Sequence, residues 1–161
     1  MKKIIPICLI TFLADRISKH LIVSSLKVGK SVTIIKNFFS ITLAKNTGIA
    51  FSLLEGKIGI IILLTILMIL LLLEMLKKEN KEKEKICYAV IIGGAIGNLL
   101  DRLLYGYVID FLDFKIFGYD YPIFNIADSC IVIGIILLLI ISFTEKGENY
   151  ESNSRARKNK N

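Results

Sequence analysis

Residues 58–73 (IGIIILLTILMILLLL) contain no ionisable side chain. Extended through Met75 and Leu76, this run is long enough as a helix to cross a hydrocarbon layer about 30 Å thick. No other feature restricts the chain as much, because so apolar a segment has no place in a small soluble domain. Three further stretches share its character, and 54% of the 161 residues are hydrophobic, with a mean hydropathy of +0.64. Soluble domains hold roughly 45–50%. The expected class is an all-α membrane protein with four transmembrane helices at about 4–23, 57–76, 86–104 and 123–143, forming one domain over 1–143. A basic, disordered cytoplasmic tail is expected over 144–161.

The first stretch imitates a secretory signal peptide, with Lys2 and Lys3 ahead of an apolar run, but no small-x-small cleavage site follows. It reads as a retained helix. Asp15 and Lys19 lie four apart with the acid first, so they can pair along one face. His20 falls near the helix end and suits the interface. Between 24 and 57, the alternation of Val32, Ile34, Phe39, Ile41 and Leu43 with polar residues predicts a small extracytoplasmic β-element after helix 1. Asn46-Thr47-Gly48 is a turn signal.

The net charge of +7 does not point to nucleic acid, because the basic residues sit between the apolar runs and in the tail. That placement suits lipid headgroups and topology. Lys2, Lys3, the five lysines of 77–85 and the basic tail fall on one side of a four-helix topology, which puts both termini in the cytoplasm. Lys27, Lys30, Lys36, Lys45 and Lys57, on the opposite side, partly conflict with that rule. Cys8, Cys87 and Cys130 are far apart and have no metal spacing, so they read as core or lipid-facing residues.

The chemistry is concentrated between Gly93 and Asp128. Gly93 and Gly97 are four apart, the small-xxx-small spacing that lets helices approach closely. Asn98 and Asp101 share a helix face. The segment 105–122 reads as a mixed loop, with Asp113 and Asp120 as solvated loop residues. Hairpin geometry can bring Asp110 and Asp128 to one depth, and two carboxylates in a low-dielectric pocket tend to share a proton. That arrangement can activate water with one member and protonate a carbonyl with the other. Other readings remain open here. Asn125 and Asp128 have the spacing of a helix cap, Asp101 beside Arg102 suits a buried ion pair, and a proton pathway or a non-enzymatic assembly subunit would also gather carboxylates.

Five blocks carry a more specific signal: Asp15-Arg16-x-x-Lys19, Asn46-Thr47-Gly48-Ile49-Ala50-Phe51-Ser52, Gly94-Ala95-x-Gly97-Asn98-x-x-Asp101-Arg102, Gly106-Tyr107-Val108-Ile109-Asp110-Phe111 and Phe124-Asn125-Ile126-Ala127-Asp128-Ser129. In this order they resemble the lipoprotein signal peptidase (signal peptidase II) family of bacteria over nearly the whole chain. The resemblance implies an aspartic endopeptidase that cleaves the signal peptide from diacylglyceryl-modified prolipoproteins, on the N-terminal side of the lipidated cysteine. It implies Asp110 and Asp128 as the catalytic pair. Asn46, Gly48, Asn98, Asp101, Arg102 and Asn125 would line the site, and Asp15 and Lys19 would support it. The implied partners are prolipoprotein substrates and membrane lipids, with no metal, organic cofactor or nucleic acid. The implied location is the bacterial cell membrane, with the site toward the outer leaflet.

Overall fold

A computed structural model describes residues 4–49 and 53–158, so Ala50, Phe51 and Ser52 of the second sequence block lie outside the described residues. Among the described residues are four helices: α1 (Ile4–Ser25), α2 (Ile58–Lys78), α3 (Glu82–Tyr105) and α4 (Ile126–Lys158). Four strands accompany them: β1 (Ser31–Ile35), β2 (Phe39–Asn46), β3 (Val108–Ile116) and β4 (Tyr119–Asp120). By length and composition α2, α3 and the Ile126–Thr144 part of α4 can each cross a membrane. The expected four spans therefore stand at three on this measure, because α1 carries Asp15, Arg16 and Lys19.

The helix boundaries differ from the sequence reading for electrostatic reasons. The expected charged linker over 77–85 shrinks to 79–81. Lys77 and Lys78 close the last turn of α2, and Glu82 and Glu84 open the first turn of α3. Each sign sits at the helix end whose partial charge it complements. α4 begins at Ile126, not 123, because Asn125 caps it. The helix also continues to Lys158, through the region expected to be a disordered tail. No proline interrupts that polar stretch.

α3 is the central element and packs against α1, α2 and α4. Small residues make this possible. A Cβ added at Gly93 would lie 2.6 Å from the Cys8 carbonyl of α1, and one at Gly94 would lie 2.6 Å from the Ala127 carbonyl of α4. At Gly97 it would lie 2.5 Å from Asp15 Oδ2. The small-xxx-small spacing thus serves as expected, with Gly93 and Gly97 against α1. Gly97→Ala must push α1 away or displace a pinned carboxylate, and overpacking of this kind costs about 1–3 kcal/mol. Thermal denaturation in detergent should report it as a lowered midpoint, and an unchanged midpoint would mean that α1 is held loosely. α2 contributes little to this core. Only Ile61 and Ile69 are buried on it, with Leu72 and Leu76 packed against the core cluster that holds Ile69, while Leu63, Leu64, Leu67, Leu70 and Leu71 face outward as a lipid-anchoring helix requires.

The β-element after α1 is present and larger than expected. The strands form one antiparallel sheet in the order β1-β2-β3-β4. β3 comes from the segment read as a loop. It starts just after Gly106, whose φ of +75° ends α3 in the left-handed conformation that glycine tolerates. Asp113 is correspondingly not a solvated loop residue. It is half-buried on β3 and accepts a 2.6 Å hydrogen bond from the Thr42 hydroxyl of β2. Asp120 is exposed and faces Lys115 at 3.0 Å. In its middle β3 also meets the entry to α4. Phe111 and Leu112 donate backbone bonds to the Phe124 carbonyl, at 3.0 and 2.8 Å, and Leu112 accepts one from Phe124 N–H at 3.1 Å. β3 therefore lies across the mouth between the end of α3 and the start of α4.

Candidate active site

At that mouth the chain brings Asn46, Gly48, Asn98, Asp101, Arg102, Asp110, Asn125 and Asp128 together, with Asp15 and Lys19 behind them. Asp110 sits on β3 opposite Ala44 of β2 and is 2% exposed. Its two oxygens are held by amides. Asn125 Nδ2 donates to Oδ1 at 2.6 Å and Asn46 Nδ2 donates to Oδ2 at 2.9 Å. Asn46 has a second task, accepting the Gly48 N–H at 2.9 Å, so the turn reading of this block also holds. Asp128 lies in the first turn of α4, shallower than a position five residues into the helix. It forms a reciprocal cap with Asn125. Asn125 Oδ1 accepts the Asp128 N–H at 2.9 Å and Asp128 Oδ2 accepts the Asn125 N–H at 3.2 Å. The other oxygen, Oδ1, accepts from Asn98 Nδ2 at 2.8 Å. The capping role is therefore real, and it leaves Asp128 beside Asp110 with Asn125 bonded to both.

Burial pushes the Asp110 carboxyl up to about 7, and the negative charge of Asp128 adds to that shift. The hydrogen bonds from Asn46 and Asn125, and the charge of Lys19, pull it the other way without cancelling it. Near neutrality a carboxyl in this state is divided between acid and base, the condition that general acid–base chemistry requires.

Behind the pair lies a buried charged cluster. Lys19 and Asp15 are both fully buried, as are Asp101 and Asn125. Lys19 Nζ donates to Asn98 Oδ1 at 2.9 Å and forms ion pairs with Asp15 Oδ2 at 2.8 Å and Asp101 Oδ2 at 2.9 Å. The two acids then reach forward. Asp101 Oδ2 accepts the N–H of Ile109, the residue before Asp110, at 3.2 Å. Asp15 Oδ1 accepts the N–H of Ala127, the residue before Asp128, at 3.1 Å. One lysine on α1 thus braces the backbone on either side of the mouth.

Two details differ from the sequence reading. Asp101 does not pair with Arg102. Its partners are Lys19 and Arg16, since consecutive helical residues point about 100° apart. Arg16 enters the sequence reading only as part of a motif, which does not disclose this role. A signal existed: two cations on α1 against one acid call for a second carboxylate elsewhere. Arg102 instead donates from Nη2 to the Gly48 carbonyl at 2.9 Å, and its buried Nε has no hydrogen-bond partner among the described residues. Gly48 itself is buried, which ties the turn after β2 to α3. His20 is exposed, Cys87 is buried, and Cys8 and Cys130 are half-buried free thiols. The described residues contain no cluster of metal-ligating side chains.

These carboxylates form one connected network at one end of the helices, not a ladder through the membrane depth. That arrangement suits a reaction centre better than a proton path. Comparison with known proteins gives the family. The family model described as Signal peptidase (SPase) II matches residues 7–144. The chain belongs to this family. It is 46% identical over 134 residues to the lipoprotein signal peptidase of Staphylococcus epidermidis, covering 82% of this chain and 83% of that one. The lipoprotein signal peptidase of Staphylococcus haemolyticus is 39% identical over 128 residues, covering 78% and 81%. A bacterial membrane enzyme solved by the in meso method at 2.3 Å resolution superposes with a TM-score of 0.86 at 35% identity, over 92% of each chain. Family and apolar helices together make this chain a bacterial membrane peptidase, a hydrolase of the signal peptidase II type.

Proposed function

We propose that the chain is an aspartic endopeptidase that removes signal peptides from prolipoproteins, with Asp110 and Asp128 as its catalytic pair. The observation that carries this reading is the juxtaposition of two carboxylates bridged by Asn125, one of them buried and shifted to about 7 by burial and by the charge of the other. The pair holds one proton between them. The ionised member takes a proton from water as the oxygen attacks the scissile carbonyl carbon. The protonated member donates a hydrogen bond to the carbonyl oxygen. The C–N bond then breaks, and the leaving amine takes up the proton gained from water. Asn46, Asn98 and Asn125 fix the carboxylate oxygens. The Nε of Arg102, without a partner among the described residues, is a donor for a substrate carbonyl close to the turn at Gly48.

A substrate whose cysteine carries diacylglyceryl fits this placement. Acyl chains in the bilayer would hold the scissile bond at the level of the mouth, on the N-terminal side of the cysteine. α1 completes the membrane domain as a fourth span. Its 22 residues reach about 33 Å, enough for a hydrocarbon core of about 30 Å. Its charges are no obstacle, since Asp15 and Lys19 are fully buried against α3 and α4. With Lys2, Lys3 and the lysines of 77–85 on the cytoplasmic side, both termini lie inside and the mouth opens toward the outer leaflet. The polar region beyond the Ile126–Thr144 stretch then forms a cytoplasmic extension.

The pH dependence tests the shared proton. Cleavage of a lipidated substrate by the protein in nanodiscs should give a bell-shaped kcat/KM profile, because the active state binds one proton. The basic limb should fall off above about pH 7, where Asp110 loses its proton, and the acidic limb marks protonation of the pair's second oxygen. A rate that keeps climbing well above that value would sink the assignment of a protonated carboxyl to the reaction.

A further inference from the structure

The far end of the sheet carries residues that neither the active site nor the core uses. Beyond its contact with the entry to α4, where Phe114 stacks on Phe124 at 5.7 Å, β3 continues past the helices and turns into β4. The turn is Phe117-Gly118, with φ of +50° and +82°, and Ile116 pairs with Tyr119 across it. Both signs match a two-residue hairpin turn that favours Asn-Gly or Gly-Gly at its centre. A phenylalanine is a costly choice there. It is nevertheless fully exposed, at 105% of its reference area, so no contact within the fold compensates for the strained backbone. Strain without an internal contact points to an external one.

The neighbouring hairpin supplies a second apolar tip. Phe38 follows Asn37, which has a φ of +59°, and is 47% exposed. It is tied to the first tip through its carbonyl, which accepts the Lys115 N–H at 2.8 Å, and through an edge contact with Phe114 at 5.6 Å. Ile116 and Tyr119 are also exposed, so the two tips form one apolar end. In the same turn as Phe38, Lys36 is exposed. It is one of the lysines that conflict with the charge rule for an outward-facing loop.

We propose that this end of the sheet is an interfacial anchor. Phe117 and Phe38 enter the boundary between headgroups and acyl chains of the adjoining leaflet, and Lys36 contacts anionic headgroups. The occupant is the bilayer because of continuity and charge. β3 lies across the bundle mouth, level with the helix ends, so its overhang comes down on the leaflet surrounding the helices. The exposed Leu103 and Leu104 at the end of α3 already face that leaflet, and aromatic side chains with basic neighbours are the composition of a membrane interface. The proposal rests on the membrane placement of the helices and not on the catalytic pair.

The chain contains no tryptophan, so Phe117→Trp gives a single optical reporter at a position that already tolerates an aromatic ring. The full chain carrying this change would be placed in phosphatidylcholine nanodiscs, with and without phosphatidylglycerol. The expected result is blue-shifted emission, quenched severalfold by lipids brominated near the top of the acyl chain and little affected by aqueous iodide. Adding Lys36→Glu should weaken the bromolipid quenching in the discs that contain phosphatidylglycerol. Solvent-like emission quenched by iodide would overturn the anchor. Blue-shifted emission indifferent to brominated lipid would also overturn it, placing the tip against protein such as a second copy. Bromolipid quenching that ignores both phosphatidylglycerol and Lys36→Glu would overturn the headgroup part.

Discussion

Asp110→Asn and Asp128→Asn are each expected to cut the rate of signal-peptide cleavage by about 10²–10⁴-fold, the range carried by a positioned acid or base. The two losses should not multiply in the double variant, because neither carboxyl acts without the other. Stability separates this outcome from simple misfolding. The folded state raises the Asp110 carboxyl to about 7, above the roughly 3.9 of an unfolded chain, so the folded protein binds more protons between those values. This group therefore stabilises fully at low pH, and its contribution is lost as pH rises through about 7. Asparagine cannot ionise. Asp110→Asn sets an amide against Asn46 or Asn125, which costs a hydrogen bond at every pH, but its melting temperature should rise relative to the parent protein as pH increases toward about 7. Asp128→Asn keeps the acceptor for the Asn125 N–H but sets an amide against Asn98, and it should melt slightly lower. Cleavage at near the parent rate by either folded variant would make that carboxyl structural.

Lys19→Met is expected to be the most destabilising single change. The methionine fills a similar volume but leaves Asp15 and Asp101 buried, with Arg16 alone to balance them. Removing one partner from a buried ionic cluster costs about 3–5 kcal/mol. The damage should also reach the active site, because the N–H groups of Ile109 and Ala127 are held by those same two carboxylates. A second change identifies the cause. Adding Asp15→Asn restores neutrality, leaving Asp101 with Arg16, and should recover part of the melting temperature. If the double variant melts lower still, the lysine acts through packing and not through charge.

Much of this architecture is legible in the sequence, and the reasons for the rest are physical. Apolar length announces α2 and α4 without ambiguity, and the spacing of Gly93 and Gly97 foretells the close approach of α1 to α3. Asn125 and Asp128 at a spacing of three foretell the cap. β3 is hidden because Val108, Ile109, Asp110 and Phe111 are all buried, so the strand has no inside–outside alternation to detect. The acids at 110 and 113 further disguise it as a loop. The limits of the charged linker are hidden because lysines and glutamates at helix ends read as polar, although the helix termini favour them. The partners of Asp101 could not be read at all. Its sequence neighbour Arg102 turns toward Gly48, and its true partners are more than eighty residues earlier on α1.

The central claim is that Asp110 and Asp128 sense each other as one proton-sharing pair, and infrared titration of the protonated carboxyl band tests it most directly. In the parent protein a buried carboxylic acid band should persist to about pH 7. It should vanish in Asp110→Asn and move to lower pH in Asp128→Asn, since removing the neighbouring charge lets the Asp110 proton leave more easily. A band that titrates in the ordinary carboxylate range, or one that Asp128→Asn leaves in place, would contradict the account.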